Sequence, residues 1–140
     1  MFGFITSPKA ARVYDFLMRV GPTPFSALAV GTGLRAGDLA KALRHLRGAG
    51  RVAPVRLRGV EFWAVDGSGF DLGTQEALAW FAARAEEAGG RYERGNVSFP
   101  AGAYRVVAAG DHVRFGDFYC LLEDLRERPL KECLRTRKIS

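Results

Sequence analysis

Cysteine is scarce in this chain, with two residues in 140, so Cys120 and Cys133 supply neither a four-cysteine zinc site nor a disulfide framework. Histidine is equally rare. His45 and His112 stand in unrelated segments without ligand spacing, and no metal site is expected. Buried free thiols are the expectation for Cys120 and Cys133, with a disulfide between them as the alternative. No apolar run approaches the roughly 18 residues that a membrane span needs. The opening "MFGFITSPKAAR" lacks the basic segment, apolar core and small-residue cleavage site of a secretory signal. A soluble, cytoplasmic protein with no membrane partner is therefore expected. Gly-x-Ser-x-Gly, a P-loop and a Cys/His pair at nucleophile spacing are also missing, so the expectation is a non-enzyme without a cofactor.

Acidic residues are scarce in one half only. Residues 1–65 hold ten Lys/Arg against three Asp/Glu, a net +7, whereas residues 66–140 hold eleven against twelve, a net −1. A charge that served solubility alone would be spread evenly. Its concentration implies a half that meets a polyanion and a near-neutral half with another task.

The chain is long enough for one core with an appended unit. Ser7-Pro8 is a helix start, followed by Val13, Phe16, Leu17 and Val20 on one face and a stop at Gly21-Pro22. Thr23-Pro24 repeats the start signal before "FSALAVG", about two turns of helix with Phe25, Leu28 and Ala29 on one side. A third helix is expected from about Arg35 to Gly48, burying Leu39, Ala42, Leu43 and Leu46. The period then changes. "RVAPVRLRGVEFWAV" has a β-rich run on each side of Arg58-Gly59, a hairpin whose Pro54 suits an edge strand. Helix, helix, helix, hairpin is the order of a winged helix.

Residues 25–65 resemble the helix-turn-helix and wing of MarR/ArsR-type winged-helix regulators. The resemblance is carried by Leu28-Ala29, Thr32-Gly33-Leu34, Ala42-Leu43-Arg44-His45-Leu46, Gly50 and the hairpin 51–65. It implies an N-terminal DNA-binding domain over residues 1–65, with double-stranded DNA as partner and the third helix as the reading element. At 100° per residue, the face opposite the buried one carries Gly37, Lys41, Arg44 and Gly48. Lys41 and Arg44 are thus the candidate base readers. Arg47 is expected near the core edge, its stem over apolar surface and its guanidinium within reach of a phosphate. Arg35 and Gly37 stand where the family usually has small polar residues, which argues for modest base specificity. Arg51, Arg56 and Arg58 supply the wing, with Arg58 at its tip, and Glu61 is its lone acid.

The expected class is α+β: the winged helix, a glycine-rich linker "DGSGFDLG" over 66–73, and a small helix-and-strand unit over 74–140. In that unit a helix is expected from Thr74 to Gly89-Gly90, then strands "RYERGNVSFP", "AYRVVAA" and "HVRF", a helix from about Phe118 interrupted at Pro129, and a basic tail. Leu78, Trp80 and Phe81 are the candidate contact of a homodimer, since two-fold operators call for paired wings. The leading expectation is a dimeric transcriptional repressor of modest specificity. The alternatives are a protein-interaction module on the same fold, or the DNA-targeting part of a nuclease or mobile-element protein. The carboxylates Glu87, Asp111, Asp117, Glu123 and Asp124 do not follow a metal-nuclease pattern.

Overall fold

In the computed structural model, residues 7–65 and 72–136 are described. The first helix, α1 (Pro8–Val20), starts where the sequence places it: the Ser7 hydroxyl accepts the Ala10 N–H at 3.3 Å, and Pro8 occupies the first turn without loss of a hydrogen bond. It buries Val13, Phe16, Leu17 and Val20 and stops at Gly21, with φ 94°. Thr23-Pro24 then forms a two-residue strand, β1 (Thr23–Pro24), before α2 (Phe25–Thr32). The turn into α3 (Ala36–Gly48) depends on Gly33 at φ 72°, whose N–H returns to the Ala29 carbonyl at 2.9 Å. Arg12 of α1 closes the same turn by donating to the Thr32 carbonyl at 3.1 Å.

The hairpin β2 (Val52–Leu57) and β3 (Val60–Val65) pairs antiparallel, with Leu57 opposite Val60. Arg58 (φ 53°) and Gly59 (φ 79°) both take the positive φ that a two-residue turn of type I′ requires. β1 adds to β3, Thr23 opposite Trp63, giving the order β1-β3-β2 and leaving the Pro54-bearing strand at the edge.

The second half is built around α4 (Leu72–Glu87), which starts two residues before the expected Thr74. Of the expected linker, residues 66–71 lie outside the described residues, and Leu72 and Gly73 already belong to the helix. Ala77, Ala79, Ala82, Ala83 and Ala85 are fully buried, so small side chains lie at close-packed contacts. α2 approaches closely: a Cβ added to Gly31 would lie 2.4 Å from the Phe16 ring and 3.2 Å from the Ala83 Cα. Elsewhere on α4, Phe81 meets Phe115 with ring centroids 5.0 Å apart. That ring belongs to an antiparallel sheet whose strands neighbour one another in chain order: β4 (Arg91–Glu93), β5 (Asn96–Phe99), β6 (Gly102–Ala109), β7 (His112–Phe115), β8 (Phe118–Leu121) and β9 (Arg135–Thr136). Two short helices, α5 (Leu122–Glu127) and α6 (Leu130–Cys133), separate the last two strands.

Two expectations are corrected here, and the structure adds a strand in the basic tail. "RYERGNVSFP" is a hairpin and not a strand, because Arg94 (φ 46°) and Gly95 (φ 89°) reverse the chain. Phe118 opens a strand and not a helix: Gly116 at φ 54° turns the chain back, so Phe118 pairs with Phe115, and helix begins only at Leu122. Part of the basic tail is also structured, since Arg135 pairs with Tyr119.

Described residues from both halves share one core. The Gln75 amide of α4 donates to the Val20 and Pro22 carbonyls at 3.0 and 2.9 Å, satisfying the end of α1. Arg84, largely buried, donates to the Leu125 and Arg126 carbonyls at 2.6 and 3.0 Å and fixes the end of α5. Trp80 and Phe81, expected at a subunit contact, are 6% and 0% exposed and packed within the chain, and half-buried Leu78 packs on the same core. Their apolar surface is consumed by the two layers α4 separates.

Candidate nucleic-acid interface

Helix α3 buries Leu39, Ala42, Leu43 and Leu46 and turns its other side outward, as the 3.6-residue period demands. Lys41 and Arg44 are exposed, and so are His45 and Arg47; Arg47 lies farther out than the core-edge position expected from the sequence. Arg35, also exposed, is the N-cap residue, and its donor-only guanidinium cannot cap the free first-turn amides. Arg56 and Arg58 are exposed on the hairpin, Arg56 opposite Glu61 in register. Among the described residues, none of Arg35, Lys41, Arg44, Arg47, Arg56 and Arg58 is held in an ion pair. Arg51 is half-buried at the start of the hairpin, and its N–H bonds to the Leu46 carbonyl at 2.9 Å. That bond fixes the hairpin to the end of α3.

Asp38, the acid in the first turn of α3, is occupied: Lys9 of α1 reaches it at 3.2 Å. Its charge thus serves both the helix N-terminus and a tether between α1 and α3. Lys9 is the residue that sequence reading missed. It lies 32 positions from Lys41, so no local pattern links them; the fold brings Ser7, Lys9, Asp38, Lys41 and His45 around one open groove of about 240 Å³. Three of those five residues carry basic groups, beside the N-terminal turn of α1.

The carboxylates of the second half are dispersed. Glu87 pairs with Arg84 at 3.0 Å, Asp111 with His112 at 3.2 Å and Asp124 with Arg135 at 3.1 Å. Among the described residues no cluster of three or more His, Cys, Asp or Glu is arranged to hold a metal ion, and no helix is long and apolar enough to cross a membrane. Cys120 and Cys133 are buried free thiols. Comparisons with protein-family models, with curated proteins and with solved structures find no match.

Proposed function

We propose that residues 8–65 form a winged helix-turn-helix that binds double-stranded DNA, with α3 in the major groove and the β2–β3 hairpin against the backbone, and that the protein regulates transcription by occupying its site. The observation that carries this reading is the row of unpaired, exposed cations on α3, Lys41, Arg44 and Arg47, continued by Arg56 and Arg58 on the hairpin. An isolated helix of this diameter fits a major groove about 12 Å wide. Supporting it, β1 pairs along the free edge of β3 and extends the hairpin to three strands, and the Arg51 amide bond fixes it at the end of α3. Gly37 and Ala40 on the outward side offer no hydrogen bonds, which favours phosphate-dominated binding of modest specificity.

A salt titration of the full chain on random and genomic duplexes tests the reading. Affinity is expected to fall steeply as salt rises, with small differences among sequences. Binding that is absent, or insensitive to salt, overturns it and favours the protein-interaction alternative.

A further inference from the structure

The second half of the chain has a basic face of its own. Strand alternation sends Tyr92, Val97, Val106, Val113, Phe115 and Cys120 into the core and their neighbours out to the opposite side of the sheet. On that outer side the pairing aligns one continuous row across four strands: Val107 opposite Arg114, Arg114 opposite Tyr119, Tyr119 opposite Arg135. Arg105 precedes Val107 by two residues on the same face. Arg105 and Arg114 have no ion pair among the described residues, and the Nε of Arg114 is shut off from solvent without a hydrogen-bond acceptor. Val107 is 43% exposed, one of three large apolar side chains left so open among the described residues. The acids at this face lie at its margins: Glu93 on the far strand β4, Asp111 beside His112 in the β6–β7 turn, Asp117 in the β7–β8 turn, and Asp124, which holds Arg135 in place at 3.1 Å.

We propose that this row is a binding surface for single-stranded nucleic acid, separate from α3 and the hairpin. Tyr119 has Arg114 and Arg135 as its backbone neighbours in register, one strand spacing of roughly 4.8 Å to either side. A base laid on that ring places its flanking phosphates beside Arg114 and Arg135, while Val107 meets the sugar. An aromatic residue flanked in register by two arginines matches the combination by which single strands are held, stacking for the base and charge for the backbone. A duplex hides its base faces. A sheet of six strands, roughly 24 Å across, is also too wide to enter a groove of about 12 Å.

Fluorescence anisotropy of the full chain with labelled 20-nucleotide oligo(dT), oligo(rU) and a 20-base-pair duplex tests this. Tyr119→Ala and, independently, the exposed-site variant Arg105→Glu are expected to weaken single-strand binding about tenfold and to leave duplex binding within twofold; Tyr119→Phe, which keeps the ring, retains it. The double variant Lys41→Ala/Arg44→Ala is expected to do the reverse, losing duplex and keeping single strand. A preference between oligo(dT) and oligo(rU) assigns the natural strand to DNA or RNA. No binding to either oligonucleotide, or equal loss of both in the α3 double variant, overturns the second surface. Loss of duplex binding alone leaves it standing, because the two surfaces share no residue.

Discussion

Arg19 and Glu86 meet end-on between α1 and α4, both guanidinium Nη atoms on the two carboxylate oxygens. The pair is nearly enclosed, with the side chains 10% and 13% exposed. Its remaining valences are also used: Arg19 donates to the Tyr92 carbonyl at 2.8 Å and to Asp15 at 2.8 Å, and Glu86 accepts the Tyr92 N–H at 3.1 Å. Three elements, α1, α4 and β4, thus converge on two side chains. Removing one partner strands the other in a poorly solvated site. Glu86→Ala is therefore expected to cost about 3 kcal/mol, read as a lower urea midpoint at unchanged slope.

The contact at Gly31 sets a second expectation. A methyl group there would meet the Phe16 ring, itself 1% exposed and unable to swing aside, with the α4 backbone behind it. Gly31→Ala is expected to destabilise by about 1–3 kcal/mol through overpacking, despite the better helix propensity of alanine. Thermal unfolding decides the sign; a raised Tm shows that α2 can draw away from α4.

For the proposed DNA contacts, Lys41→Ala/Arg44→Ala is expected to lower duplex affinity by at least an order of magnitude with circular dichroism unchanged, because neither side chain is part of the core. Arg58→Ala at the hairpin tip is expected to weaken binding about equally on all sequences and to reduce the salt slope by about one. A loss confined to one sequence assigns Arg58 to base reading.

Burial pushes the Cys120 thiol up to about 12, reinforced by Cys133 and Asp124, and burial raises Cys133 and the Tyr92 phenol too. A group raised in the folded state ionises first in the unfolded chain. From neutral pH to about pH 9 these groups leave stability unchanged, and stability is expected to fall as pH climbs toward 12. At pH 7.5 neither thiol is expected to react with a disulfide reagent until denaturant is added; rapid reaction of the native protein contradicts the burial of both.

The first half was legible because its signals are local. Ser7-Pro8 caps, Gly33 turns, and the leucines of α3 repeat at the helical period. The second half carries equally local signals that compete. Arg94-Gly95 is the same dipeptide as Arg58-Gly59 and makes the same reversal, yet it sits inside a ten-residue β-like run that reads as one strand. Phe118, Leu121, Leu122 and Leu125 satisfy a helical spacing, and the ladder to β7 overrides it. β1 is two residues long and exists only because β3 lies beside it. In the candidate site, the exposed cations of α3 follow from the wheel, but Lys9 and its partner Asp38 meet by tertiary packing alone. The row across β6 to β9 depends on register between strands, which no single segment encodes.

The Gln75 amide, bonded to the carbonyls that end α1, bears on how this protein can be taken apart. A fragment severed in the glycine-rich connector would leave the Val20 and Pro22 carbonyls without that donor and strip α2 of the helix that fits against Gly31. The unit to transplant onto another protein, or to express alone, extends through α4 to Glu87 and takes Arg19's carboxylate with it. Modularity here runs past the hairpin, and the grafting boundary lies on the far side of the helix that both halves share.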